Sequence, residues 1–281
     1  MGTLRLSLAL GPVPYAEAIG RAEGLGFRSI MLRYSPERDT EDLGAIKRLA
    51  ADRGLELPLI NGYTNLIHPD PVTLAANRDI FVRAMETALA LGAGWTNTII
   101  GTRDPGLSFW EYHPENFSVA AWDCATESIR YALDRFPDER VGMTLEPYLL
   151  TTLASPAKLR EMIDQVGSPR VKVLFEPVNL IGPNEYWRQN VALPEMIHQL
   201  GPLIVAVHAK DHYLQRRQVT LHIEERVPGR GELDYSTLLT ELAKLPQEPI
   251  VTIEHLGDNA DIQEAKAYIT SVAERCRVTL I

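Results

Sequence analysis

The segment that decides the fold is residues 141–146, which read VGMTLE, an apolar run ending in a carboxylate. Three later segments have the same design, because each is a run of strand-forming residues followed by a side chain that can bind a metal. They read VKVLFE at 171–176, IVAVH at 204–208 and IVTIE at 250–254. The polar residues that end the four runs are Glu146, Glu176, His208 and Glu254.

The spacing of these residues predicts parallel strands joined by helices. Intervals of 30, 32 and 46 residues separate them, close to one or one and a half strand-plus-helix units. In a parallel barrel the carboxyl ends of the strands meet on one face, where active sites lie. We therefore expect the four side chains to converge. Three carboxylates alone would repel one another, and a hard or borderline divalent cation would remove that penalty.

The rest of the chain continues the alternation of strands and helices. Apolar runs predict strands at 4–10, 29–32, 55–60, 96–100, 141–146, 171–176, 204–208 and 250–254. Helical patterns lie between them, one of them starting near residue 184 or 194, and a polar segment of about two dozen residues follows His208. No Gly-x-Gly-x-x-Gly follows the first strand, so an open dinucleotide-binding sheet lacks its main signal. We predict an α/β fold, a single (β/α)8 TIM-barrel domain over residues 1–281.

Composition and charge argue against several classes of protein. The net charge of −9 opposes a nucleic-acid-binding surface, which is usually basic. Two cysteines, Cys124 and Cys276, are typical of a reducing compartment and do not suggest a disulfide framework. No apolar run reaches the length of a membrane span, and the N-terminus leads directly into a strand. We expect a cytoplasmic protein with neither a nucleic-acid nor a membrane partner.

The sequence resembles the xylose isomerase-like TIM-barrel family, which includes ketose 3-epimerases, hydroxypyruvate isomerase and several dehydratases. The order of Glu, an acidic residue, His and Glu on the last four strands carries the resemblance over nearly the whole chain. The supporting motifs are LEP at 145–147, FEPVN at 175–179, HAKD at 208–211, PGRG at 228–231 and IEH at 253–255. The resemblance implies one divalent ion held by Glu146, Glu176, His208 and Glu254. Manganese is expected first, with magnesium, cobalt or zinc as alternatives.

One departure from the family concerns Glu176, where the family usually has Asp. The resemblance further implies a sugar isomerase or epimerase that removes a proton beside a carbonyl through a metal-stabilised enediolate. Glu146 and Glu254 would be its acid/base pair. Five other residues are candidates for binding a sugar-like substrate, either by their place in the motifs or because their loops are expected to open on the same face. They are Asn179, Arg226, Asp211, His68 and Trp110.

Three other functions remain open at this point. A lyase or dehydratase acting on an inosose or a 3-keto sugar would begin with the same proton removal. An AP-endonuclease needs extra zinc ligands, and Asn179 and Gly101 stand where two of them would be expected. A non-catalytic sugar-binding barrel is the third. Family resemblance also implies a homo-oligomer, and the absence of a Gly-rich phosphate cradle favours an unphosphorylated substrate.

Overall fold

Eight parallel strands form a closed barrel in the computed structural model, which describes residues 2–106 and 108–281. Each strand pairs with the next, and the last pairs with the first, so that Arg5 lies opposite Ile250. This closure confirms the predicted fold class. The barrel strands are β1 (Thr3–Ala9), β2 (Ile30–Arg33), β3 (Leu59–Asn61), β4 (Trp95–Ile99), β5 (Gly142–Glu146), β6 (Val171–Phe175), β7 (Ile204–Ala209) and β10 (Ile250–Ile253).

Helices surround the barrel and connect its strands. Several helices begin at an N-cap residue whose side chain accepts a hydrogen bond from a backbone N–H of the first turn. These caps include Asp70, Ser118 and Ser155. Within residues 2–106 and 108–281, none of the helices combines the length and the hydrophobicity of a membrane-spanning segment. The helices are α1 (Tyr15–Gly24), α2 (Leu43–Asp52), α3 (Pro71–Leu91), α4 (Val119–Arg135), α5 (Pro156–Val166), α6 (Pro183–Tyr186), α7 (Gln189–Leu200), α8 (Tyr235–Leu242) and α9 (Asn259–Cys276).

The barrel interior changes from apolar to polar along its axis. A small cluster that includes Met31, Leu59 and Leu174 is separate from the main core, and Trp95 at the start of β4 packs against it. Farther along the strands several buried residues are polar. Asn97 donates a hydrogen bond to Asn61 and accepts one from Thr144. Buried polar groups need such partners, so this layer fixes side chains just below the carboxyl ends of the strands.

Two segments differ from the sequence-based expectation. The helix expected to start near residue 184 or 194 is a short helix, α6, followed by α7, which begins at Gln189 and continues through Pro194. Proline removes one helical hydrogen bond, here to the carbonyl of Asn190, and Asn190 is exposed to water. The polar segment after His208 contains an antiparallel hairpin of β8 (Asp211–Leu214) and β9 (Ile223–Arg226). A short final strand, β11 (Thr279–Leu280), pairs with β1.

Candidate metal centre

The four strand-end residues lie together at one end of the barrel. Glu146 is the last residue of β5, His208 lies in β7, and Glu176 and Glu254 directly follow β6 and β10. All four are buried, and one ligand-type atom from each lies within 4.8 Å of those from the others. The parallel strands therefore bring together side chains that are far apart in the sequence.

His208 is the centre of this cluster. Its Nδ1 atom lies 3.0 Å from Glu254 Oε1, 3.4 Å from Glu176 Oε2 and 3.7 Å from Glu146 Oε1. Neither ring nitrogen has a hydrogen-bond partner among the described residues, which is rare for a buried imidazole. Burial disfavours the charged ring, yet the carboxylates of Glu254 and Glu146 raise the pKa of His208 well above its ordinary value. The carboxylates thus favour positive charge at this point.

The donor set fits a divalent cation. Carboxylate oxygens and one imidazole nitrogen are ligands that manganese, magnesium and zinc accept in proteins. An ion among them would satisfy one of the two unpartnered imidazole nitrogens and remove the repulsion between three buried carboxylates. Glu176 is one methylene longer than an Asp at this position would be. Its Oε1 atom accepts a hydrogen bond of 3.2 Å from the N–H of Val178. Its other oxygen is left facing His208.

Glu146 is held in place by two donors from neighbouring strands and loops. The hydroxyl of Tyr63 and the side-chain amide of Asn97 each donate to Glu146 Oε2 at 2.8 Å. Burial opposes ionisation of Glu146, but His208 beside it lowers the pKa of the carboxyl below its ordinary value. The carboxylate is therefore ionised, with one oxygen fixed by hydrogen bonds and the other directed at His208.

Lys210 supplies positive charge beside two carboxylates of the cluster. Its Nζ atom lies 2.9 Å from Glu176 Oε2 and 2.7 Å from Glu254 Oε1, in directions that do not satisfy hydrogen-bond geometry. The side chain is 4% exposed. Burial would lower the pKa of Lys210, but Glu176 and Glu254 raise it well above its ordinary value. The ammonium group therefore compensates part of the negative charge of the three carboxylates.

A cavity of about 370 Å³ opens onto the cluster. Tyr63, Phe109, Trp110 and Tyr148 line it with aromatic rings, and the remaining walls carry charged and polar groups such as Glu146. A neighbouring cavity of about 230 Å³ reaches Glu254 and shares Arg33, Tyr63 and His255 with the first. Aromatic rings with a few converging polar groups are typical of small-molecule sites.

The predicted substrate-binding residues divide into two groups. Asn179 and Trp110 line the larger cavity, and the side-chain amide of Asn179 lies 3.5 Å from Glu146 Oε1. The other three are not part of its lining among the described residues. Arg226 lies on β9 and pairs with Glu224, Asp211 accepts backbone N–H groups, and the ring of His68 accepts a hydrogen bond from the N–H of Asp70.

Several residues of this region were not among the predicted site residues, including Arg33, Tyr63, Asn97 and His255. Arg33 ends β2, so the search for polar strand ends would have found it had it covered the earlier strands. Asn97 is a fully buried amide inside a strand, which is itself a signal of a polar network. His255 follows Glu254 with a positive φ of 61°, a backbone strain that the sequence does not reveal.

The fold and the cluster together define a class, a parallel barrel with a site that could hold a metal at the carboxyl ends of its strands. Comparison with protein families identifies that class more closely, since the model of the xylose isomerase-like TIM barrel family matches residues 19–273. The chain belongs to this family. The comparison with curated proteins gave no match.

Several solved structures share the fold. A D-psicose 3-epimerase with D-tagatose from Clostridium cellulolyticum has a TM-score of 0.74 at 16% identity, covering 96% of this chain and 99% of that one. An L-ribulose 3-epimerase has a TM-score of 0.75 at 16% identity, covering 98% and 96%. A xylose isomerase-like TIM barrel protein from Mycobacterium smegmatis in complex with magnesium has a TM-score of 0.72 at 19% identity, covering 98% of both chains. At these identities the likeness establishes the fold alone.

Proposed function

We propose that the protein is a divalent-metal-dependent sugar isomerase or epimerase that removes a proton from the carbon beside a carbonyl. The observation that carries the proposal is the buried cluster of Glu146, Glu176, His208 and Glu254 beneath an aromatic cavity. The epimerases among the structural neighbours support the same class of reaction. Manganese is the proposed ion, with magnesium, cobalt or zinc as alternatives, because oxygen donors dominate the set.

In the proposed reaction the ion and the protein side chains would have separate roles. A divalent ion held by the four residues would supply Lewis-acid polarisation of a carbonyl and its neighbouring hydroxyl. Tyr63 and Asn97 fix one oxygen of Glu146, and Lys210 balances the charge of Glu176 and Glu254. These contacts hold the carboxylates in one arrangement before a substrate binds, which lowers the cost of reorganisation during the reaction.

Glu146 and Glu254 are the proposed acid/base pair. Glu146 lines the larger cavity and Glu254 lines its neighbour, while Arg33, Tyr63 and His255 lie between the two. Two carboxylates that reach a substrate from different sides suit a reaction in which one removes a proton and the other returns one. Trp110 would stack on the sugar, and Asn179 would hydrogen-bond a hydroxyl.

Solvent isotope exchange tests the proposal. The Mn²⁺-loaded protein is incubated with a panel of ketoses in D₂O, and deuterium entering at the carbon beside the carbonyl is followed by NMR. We expect Glu146→Gln and Glu254→Gln each to slow exchange by roughly 10²- to 10⁴-fold, the usual contribution of a general acid or base. Glu86→Gln is the matched control, since Glu86 is exposed on α3.

Either active-site variant exchanging at the wild-type rate would show that the pairing is wrong. Mass spectrometry of the product separates the two reaction types, because isomerisation and epimerisation conserve mass whereas a lyase or dehydratase would release water. No exchange into any ketose, with the ion bound, would contradict the proposed function.

A further inference from the structure

Arg33 is a cation in the candidate site that the proposed mechanism does not use. It ends β2 and lines both cavities. Its guanidinium carbon lies 5.6 Å from the centre of the Tyr63 ring, and the hydroxyl of that ring contacts Glu146. Within residues 2–106 and 108–281, no carboxylate lies at ion-pair distance from Arg33, and no side chain or carbonyl accepts a hydrogen bond from it.

The other cationic groups that line the larger cavity have acidic partners. Lys210 lies against Glu176 and Glu254, and His255 Nδ1 lies 3.1 Å from Glu225. Within the described part of the chain, Arg33 is therefore the one cationic residue lining this cavity that has no acidic partner. A guanidinium group offers a planar set of donors that matches a carboxylate or phosphate in two hydrogen bonds.

The charge balance of the site leads to the same conclusion. The three carboxylates of the metal-type cluster would be compensated by a divalent ion together with the ammonium group of Lys210. Glu225 faces His255. Arg33 is half-buried, and its positive charge is then left without a counter-ion in a cavity lined by aromatic rings. A bound anion would supply that counter-ion.

We infer that the substrate carries an anionic group, a carboxylate or a phosphate, and that Arg33 binds it. The inference rests on the proposed function and narrows its substrate class. The guanidinium of Arg33 lies over the ring of Tyr63, and the hydroxyl of that ring contacts Glu146, so Arg33 stands beside the carboxylate cluster without being part of it. The anion that Arg33 binds would therefore be a group of the sugar other than the reacting carbonyl, and the proposed substrate is a keto sugar with an anionic terminus.

Calorimetric binding to the Mn²⁺-loaded protein tests the inference. Two series of probes differ only at the terminal carbon: D-fructose, D-fructuronate and D-fructose 6-phosphate, and the three corresponding tagatose compounds. We expect at least one charged member to bind tenfold or more tightly than its neutral analogue. Arg33→Met should weaken that binding by about 30-fold or more, because one partner of a charge-assisted contact is lost. Arg33→Lys should retain part of it.

The control is Arg140→Met, which removes the same charge at an exposed position before β5, where Arg140 pairs with Asp138. It should bind all six compounds as the wild type does. Neutral members binding as tightly as charged ones in both series, or no measurable binding of any charged member, would overturn the inference. So would tight binding of a charged member that Arg33→Met leaves unchanged. The charged compound that binds more tightly shows whether the anionic group is a carboxylate or a phosphate.

Deuterium exchange with the same six compounds separates this inference from the proposed function. In one outcome, deuterium exchange is fastest into the neutral ketoses and is unchanged in Arg33→Met. That result would contradict the inference of an anionic terminus and leave the proposed function intact. Arg33-dependent binding of a charged member with no exchange into it would support the anion site and contradict the proposed chemistry.

Discussion

Tyr63 connects the two halves of the candidate site through one side chain. Its hydroxyl donates to Glu146 Oε2, and its ring lies beneath the guanidinium of Arg33. We predict that Tyr63→Phe slows deuterium exchange by about tenfold, since a hydrogen bond to a charged group contributes roughly 1.5–3 kcal/mol and Asn97 still holds the same oxygen. Exchange kinetics by NMR measure the effect.

Tyr131→Phe is the control for that experiment. The hydroxyl of Tyr131 likewise donates to a carboxylate, Asp79, but at an exposed position between α3 and α4. Its removal should leave the exchange rate unchanged. Equal rates for wild type and Tyr63→Phe would show that Glu146 does not need this donor.

His212 predicts a pH dependence of stability away from the metal-type cluster. Its ring is buried against Tyr186, and burial lowers the pKa of His212 to about 4. Gln189 Nε2 lies 3.3 Å from His212 Nε2, a contact that suits the neutral ring, whose nitrogen can accept. The unfolded chain therefore binds a proton at pH values where the folded protein does not, and stability falls as the pH decreases from about 6.5 towards about 4.

The measurement is denaturant unfolding at pH 7 and pH 5. Between these values we expect the wild type to lose about 2 kcal/mol more free energy of unfolding than His212→Phe, which keeps an aromatic ring beside Tyr186 and cannot titrate. The same loss in both proteins would mean that His212 titrates normally in the folded state.

Of the individual site residues, the four strand-end residues could be predicted from the sequence, because their position follows from strand periodicity and the direction of parallel strands. The positions of Arg33, Tyr63 and Asn97 in the site depend on further structural detail. Asn97 reaches Glu146 only because β4 pairs with β5 with Ile99 opposite Glu146, and Tyr63 reaches it from a loop after β3. Neither the register nor a loop conformation can be obtained from a single sequence.

Among the elements, the β8–β9 hairpin depends on Asp211 at its start. The buried carboxylate of Asp211 accepts hydrogen bonds from the N–H groups of His212, Gly229, Gly231 and Leu233 at 2.8–3.1 Å. The loop packs so closely on this carboxylate that a Cβ atom at Gly231 would lie 2.2 Å from Asp211 Oδ1. These contacts fix the loop that returns the chain from β9 to α8.

We predict that Asp211→Ala lowers the free energy of unfolding by about 3 kcal/mol, because two buried and two partly buried N–H groups lose their acceptor. Manganese affinity should change by less than about threefold, since none of these contacts involves a metal-type residue. Chemical unfolding and metal titration measure the two quantities, with Asp123→Ala, at an exposed position on α4, as the control for loss of a carboxylate. Unchanged stability combined with weaker substrate binding would instead assign Asp211 to the substrate, as its place in the sequence motif suggested.

The elements also show where sequence patterns stop being informative. Apolar periodicity predicted the barrel strands and the helices between them. In the structure α3 and α5 begin at side-chain caps and end at glycines with positive φ, Gly92 and Gly167, which are residue types that favour helix ends. The hairpin carries charged residues on both strands and was missed, because antiparallel pairing above a barrel does not require an apolar face. Pro194, one of the two predicted helix starts, lies inside α7, because Asn190, whose carbonyl loses its partner, is exposed to water.

For the whole molecule, the closed barrel explains why residues from β5 to β10 form one site. The pairing of β10 with β1 completes the ring, and the polar layer around Asn97 fills the space beneath the cluster. The assignment of residues 1–281 to one domain stays a prediction. Family membership and fold do not specify the chemistry, which has to be argued from the site itself.

Manganese titration tests the central claim most directly. Protein freed of metal by a chelator is titrated with Mn²⁺ by calorimetry, and its unfolding is measured with and without the ion. We predict one ion per chain and a rise in the free energy of unfolding of about 2.7 kcal/mol at a free ion concentration 100 times the Kd. His208→Ala and Glu176→Gln should each lose this binding, whereas His198→Ala, at an exposed position on α7, should retain it. Saturable binding of equal strength in wild type and His208→Ala, or no binding in the wild type, would contradict the account.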